Sequence, residues 1–149
     1  MPFAIGVDVG GTRIKAGVVD RQGRIHARRT LDTQANRGPD AVVDIIVSLI
    51  GDLAREAKSA PAGVGIGVPG AVDAQRGIVR SPPNLPGWDE VFLGPRIAEM
   101  CRLPAYVDND ANAAALGEQR GGAGRGVRDM VMITLGTGVG ARRQQELGL

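Results

Sequence analysis

Four residues, Gly10-Gly11-Thr12-Arg13, separate two apolar runs at residues 3–9 and 14–19. A gap that short cannot hold a crossover helix, so the two runs can only be the arms of an antiparallel hairpin. Asp20 to Gly23 reads as a second turn, and Arg24 to Thr33 alternates as a third strand. The period then changes. Gly38-Pro39-Asp40 has the form of a helix start, with Pro at the first helical position and an acid that suits the dipole. Val42, Ile46, Leu49, Ile50, Leu53 and Ala57 recur at three and four, which marks one apolar helix face. Pro61 is expected to end that helix. A short strand over Val64 to Val68 follows, then a loop-rich stretch at 69–90. Beyond it the pattern predicts a helix over Val91 to Arg102, a strand over Ala105 to Val107, an alanine-rich helix over Asn109 to Arg120 and a strand over Met130 to Leu135. That order is α/β, a mixed sheet covered by helices.

Composition narrows the class. The 149 residues are enough for one ordinary domain or a little more, with 43% hydrophobic and 23% charged residues. The 23 glycines follow no three-residue period, so a collagen-like chain is excluded. No apolar run is long enough to span a bilayer, and the start meets Asp8 too soon for a signal peptide, so a cytoplasmic protein without a membrane partner is expected. One cysteine, Cys101, cannot staple a secreted scaffold, and one histidine, His26, cannot anchor a multi-histidine metal site. Cys101 reads as a core thiol, and His26 as a surface residue without a partner. Net charge is +2. Residues 120–149 carry five arginines against two acids but no interleaved aromatics, so nucleic acid is not an expected partner.

Four segments carry candidate chemistry. In Asp8-Val-Gly10-Gly11-Thr12-Arg-Ile-Lys15, paired glycines let backbone amides approach an anion, Thr12 adds a hydroxyl, Lys15 a charge, and Asp8 a carboxylate for a metal ion. A strand and not a helix follows, so this is no Walker loop. A plain Gly-Gly hairpin turn is the alternative. Gly65, Gly67 and Gly70 spell G-x-G-x-x-G, yet Ala71 to Gly77 reads as a turn where a dinucleotide site needs a helix start. In Asp108-Asn109-Asp110-Ala-Asn112, acids and amides sit at the C-terminal end of a strand, where open α/β sheets bind ligands. Asn109 or Asp110 would equally serve as a helix N-cap. Finally, Gly136-Thr137-Gly138 repeats the chemistry of the first turn after the last strand, with a ligand-free turn as the alternative.

The order and spacing of these segments closely resemble the ROK family (repressors, open reading frames, kinases). The resemblance rests on Asp8-x-Gly-Gly-Thr-x-x-Lys15, Gly67-Val-Pro-Gly70, Asn84-Leu-Pro-Gly-Trp88, Asn109-Asp110-Ala-Asn112 and Gly136-Thr-Gly138, and covers residues 3–140. Within it, Ser81 to Trp88 looks most like the bacterial glucokinases. The resemblance implies an actin-like ATPase (ribonuclease H-like) fold, of which this would be the N-terminal lobe with a mixed five-stranded sheet. It implies ATP-dependent phosphorylation of a hexose, with Asp110 as catalytic base and Gly70, Asn84, Asn109 and Asp110 around the sugar. Asp8, Gly10, Gly11, Thr12 and Lys15 would hold ATP phosphates together with Gly136, Thr137 and Gly138, and Asp8 would serve magnesium. Members are often homo-oligomers.

One departure accompanies the resemblance. The family continues into a second lobe with a zinc site, further sugar ligands and the adenosine pocket, whereas here Val139-Gly140 runs into a polar tail over 141–149. The expected organisation is therefore a lobe over 3–120, a linker and first strand of a second lobe over 121–140, and a tail unlike the family. No zinc site is expected in this chain. Met130 to Leu135 is expected to lack a later strand to pair with, which predicts self-association or a disordered end beyond about residue 125. A repressor of the same family is the rival reading, expected to need a helix-turn-helix ahead of the first strand. A non-catalytic fragment or sugar-binding module is another.

Overall fold

The computed structural model describes residues 3–57, 59–135 and 139–145. The four-residue gap makes the hairpin it requires: β1 (Phe3–Val9) pairs antiparallel with β2 (Arg13–Asp20), which pairs antiparallel with β3 (Ile25–Asp32). β4 (Val64–Val68) lies parallel to β1, and β7 (Ala105–Asn109) parallel to β4, giving the order β3-β2-β1-β4-β7. The sheet is mixed and five-stranded, as expected.

Alternation sorts its two faces. Ile5, Val7 and Val9 of β1, Ile14, Ala16 and Val18 of β2, Val64, Ile66 and Val68 of β4, and Val107 of β7 are buried on one side. There α1 (Pro39–Glu56) covers them with Val42, Val43, Ile46, Leu49, Ile50 and Leu53, and α2 (Leu93–Cys101) adds Leu93 and Ile97. Each such side chain contributes about 1.5–3 kcal/mol on leaving water, so this face holds the lobe together. Cys101 packs against the same core, and burial pushes its thiol pKa up. The opposite face carries Gly6, Gly17, Gly65 and Gly67 with Asp8, Lys15 and Asp108, beside apolar Ala4 and Val19, and α3 (Asp110–Gly121) approaches it at Gly67.

Several boundaries differ from expectation for local reasons. α1 stops at Glu56, well before Pro61. The 69–90 stretch contains a small hairpin, β5 (Ala71–Asp73) with β6 (Ile78–Arg80), whose three-residue arms are too short to show alternation. Val91 belongs to no helix. It exchanges two 2.9 Å backbone bonds with Val79, and α2 begins two residues later. Arg102, in the left-handed region at φ 54, closes α2. His26 is not without a partner, since its Nε2 lies 2.8 Å from the Asp20 carboxylate.

The largest correction concerns β8 (Asp129–Leu135). It pairs antiparallel with β9 (Val139–Gln145), so the strand expected to lack a partner has one. The segment 141–145 reads as tail because Arg, Gln and Ala carry little strand propensity, but ladder bonds come from the backbone and do not need it. Between α3 and β8, the buried amide of Gln119 donates to the Val127 and Arg128 carbonyls at 3.2 and 3.0 Å and fixes the connecting turn. Among the described residues no helix is long and apolar enough to cross a membrane.

Candidate active site

Strand register assembles the site. Lys15 lies opposite Asp8, Asp8 opposite Gly67, and Gly67 opposite Asp108, one row across β2, β1, β4 and β7. With strands about 4.8 Å apart, the row runs about 14 Å from Lys15 to Asp108. All four residues line one cavity of about 1300 Å³ on the glycine-rich face, together with Asp110. Gly67 matters through what it lacks. A Cβ there would sit 3.4 Å from the Asp110 Cα and 3.5 Å from the Ala113 Cβ, so glycine lets the start of α3 descend between the two acids of the row. Partial burial raises the Asp8 pKa above the ordinary carboxylate value. Lys15 opposes that shift, and the like charge of Asp110 adds to it. Asp8 and Asp110 therefore feel one another within a single cavity.

The start of α3 is pinned by its own polar groups. Asn109 is the N-cap, its side-chain oxygen accepting from the Ala111 and Asn112 amides at 3.1 and 3.4 Å. Its Nδ2 donates to the Gly70 carbonyl at 3.0 Å, which ties the helix start to the end of β4. Asp108 accepts from the Asn109 amide at 2.7 Å and from Asn112 Nδ2 at 2.9 Å. Asp110 is exposed, and one of its oxygens accepts from the Ala111 amide at 2.7 Å. The cap role falls to Asn109 and leaves the Asp110 side chain at the cavity. The N-cap alternative for this segment is thus realised by Asn109, and Asp110 stands at the cavity.

The Gly10–Arg13 turn closes on itself through a 3.0 Å bond from the Gly10 amide to the Arg13 carbonyl. Among the described residues the Gly11 and Thr12 amides donate to no protein acceptor, and unpaired successive amides of this kind suit an anion. The turn also touches the 81–88 loop. A Cβ on Gly11 would lie 2.6 Å from the Asn84 Cβ. Asn84 itself sits in the left-handed region at φ 63, as does Ser81 at φ 41. Backbone of this kind in non-glycine residues clusters at binding sites.

The structure thus brings Asp8, Lys15 and Asp110 to one cavity, and joins Gly11 to Asn84 and Asn109 to Gly70. Gly136, Thr137 and Gly138 lie outside the described residues. Two contributors escaped sequence reasoning. Asp108 stood in the motif without a role, yet it orients Asn112 and completes the row. Thr33, at the end of β3's run, is fully buried against the glycine turn, and only a polar residue following an exposed strand hinted at it. The G-x-G-x-x-G at 65–70 leads into β5 and not into a helix, which removes the dinucleotide reading.

Known proteins resemble this chain in sequence and fold. The family model described as the ROK family matches residues 4–142. A glucokinase of Thermotoga maritima is 43% identical over 136 residues, covering 91% of this chain and 42% of that protein. A glucokinase of Streptomyces coelicolor is 44% identical over 140 residues, covering 94% and 43% respectively. In three dimensions the chain is similar to a ROK family glucokinase from Streptomyces griseus solved with glucose and AMPPNP. The TM-score is 0.85 at 39% identity, over 99% of this chain and 47% of that one. The chain therefore spans less than half the length of each of these three relatives. Its sheet and helices form a lobe of the actin-like ATPase fold. With its motifs, its fold and nearly all its length accounted for in this way, the chain belongs to the ROK family.

Proposed function

We propose that these residues form the first lobe of an ATP-dependent hexose kinase acting on a glucose-like sugar, with Asp110 as general base. The observation that carries this is the placement of Asp110 beside Asp8 and Lys15 in one cavity, at a helix start pinned by Asn109. Glucokinase relatives support it, as does the glucose and AMPPNP bound by the Streptomyces griseus protein. In this reading the Asp110 carboxylate takes the proton of the attacking sugar hydroxyl. The new bond forms from that oxygen to the γ-phosphorus as the bond to the bridging oxygen breaks, and ADP leaves. Asn109, Gly70 and Asn84 frame the sugar. The amides of Gly11 and Thr12, with Gly10, Lys15 and the Gly136-Thr137-Gly138 segment, receive phosphate oxygens.

Among the described residues no three His, Cys, Asp or Glu side chains converge as metal ligands. Magnesium asks for less, since it is commonly held by one or two carboxylates plus substrate phosphates. Asp8, beside the unpaired amides, fits that demand. When bound, the ion would neutralise charge developing on the transferred phosphoryl group. A kinase drawing on ATP would work in the cytoplasm.

The test uses a form in which these residues are joined to a second lobe. There Asp110→Asn should lower kcat by about 10²–10⁴ while glucose affinity changes little. A near-normal kcat would reduce Asp110 to a structural part of the helix start. A sugar-binding regulator is the second reading, favoured by the xylose repressor of Bacillus subtilis, 29% identical over 141 residues. It predicts sugar binding without phosphoryl transfer in the same form.

A further inference from the structure

Three polar or charged residues are buried among those described: Asp20, Thr33 and Gln119. Asp20 and Gln119 secure turns close to them in sequence, whereas Thr33 reaches 23 residues back. Its hydroxyl donates to the Gly10 carbonyl at 2.6 Å, and its amide donates to the Thr12 carbonyl at 2.8 Å. One fully buried residue thus grips two carbonyls of a single tight turn. A planar trans peptide points its C=O and the next N–H in opposite directions. Holding the Gly10 carbonyl on Thr33 therefore turns the Gly11 amide to the other side, and holding the Thr12 carbonyl does the same for Arg13. Thr33, like Gly10 to Arg13 of the turn itself, is absent from the cavity lining, whereas Asp8 and Lys15, which flank the turn, are part of it.

We infer that Thr33 is a positioning residue for the phosphate-binding turn, fixing which way the Gly11 and Arg13 amides face without touching the nucleotide. The inference rests on reading that turn as the ATP-phosphate site. The geometry also explains why a hydroxyl is found there. With Val at this position the β-branched shape and the amide bond to Thr12 would persist, but the Gly10 carbonyl would be buried against a methyl group.

Thr33→Val and Thr33→Ser, made in the two-lobed form, separate this role from a merely structural one. Thr33→Val should raise KM for ATP about fivefold to tenfold, the worth of one hydrogen bond, with KM for glucose nearly unchanged. Thr33→Ser, which keeps the hydroxyl, should restore the ATP value. Equal rises in both KM values, or a lowered Tm with an unchanged KM for ATP, would overturn the inference. Should the two-lobed wild type transfer no phosphate to any hexose, the proposed function fails. The role of Thr33 is then decided on the 149-residue chain by magnesium tripolyphosphate titration with amide NMR. A shift at Gly11 that disappears in Thr33→Val and returns in Thr33→Ser supports it. No shift in the wild type, or the same shift in all three, sinks it.

Discussion

Asn84 leaves Gly11 room for a hydrogen and nothing larger. A side chain at position 11 would press on the Asn84 Cβ at 2.6 Å and on its carbonyl at 3.2 Å, and neither is the far end of a flexible side chain. The turn read as phosphate-binding and the loop read as sugar-binding are therefore in direct contact. Gly11→Ala should displace both. In the two-lobed form we expect KM for ATP and KM for glucose to rise together, with a loss of about 1–3 kcal/mol of stability from overpacking. This is a different signature from Thr33→Val, which should move the nucleotide alone. Steady-state kinetics in both substrates and a thermal melt would distinguish the two, and an unperturbed glucose KM in Gly11→Ala would disprove the coupling.

Beyond its backbone ladder, the β2–β3 hairpin has its turn fastened by one carboxylate. Asp20 accepts from the Gln22 and Arg24 amides at 2.9 and 3.0 Å, from Arg24 Nε at 2.9 Å and from the His26 ring at 2.8 Å. The His26 bond foremost, with the Arg24 and Gln22 bonds, holds its pKa far below the ordinary carboxylate range, against the opposing effect of desolvation. A carboxyl depressed in the folded state stabilises fully above its unfolded pKa, about 4, and that contribution fades as pH falls through the folded value. Asp20→Asn should therefore lower Tm at pH 6–7, and the gap to wild type should narrow steadily as pH is taken below about 4. A gap independent of pH down to the acid limit would mean that the hairpin relies on shape and not on the charge. At the other end of the sheet, α3 owes its start to Asn109, which caps the helix and grips Gly70 with opposite ends of one amide.

The lobe has two unlike faces. Its apolar face is closed by α1 and α2, while the face bearing Asp8, Lys15 and Asp110 adjoins a large cavity. The β8–β9 pair forms a separate two-stranded sheet beside α3, and it leaves Val131 64% and Ile133 62% exposed. Produced by themselves, residues 1–149 should transfer no phosphate at ordinary kinase rates. A substrate held from one side only is poorly aligned, and misplacement by about 1 Å can cost about 10²-fold. The exposed strand pair should also promote self-association, with residues 3–120 surviving limited proteolysis. Sugar-dependent ADP release and size-exclusion chromatography provide the check. A protease-resistant monomer phosphorylating glucose at ordinary rates would refute this.

Local information in the sequence determined the elements whose signal is itself local. The gap at Gly10–Arg13 forces a hairpin, the three-and-four spacing from Val42 to Leu53 makes α1, and the ordered motifs mark where chemistry collects. Short or polar strands carry no such signal, which is why β5, β6 and β9 were invisible despite forming backbone ladders. Only the tertiary structure decided the distant contacts: Gly11 against Asn84, Asn109 to Gly70, Thr33 to Gly10, and the row Lys15–Asp8–Gly67–Asp108. Register and close approach create these, and both depend on how the sheet and its helices pack. A missing side chain at Gly67 or a single hydroxyl at Thr33 gains its meaning from whatever the fold brings within a few ångströms of it.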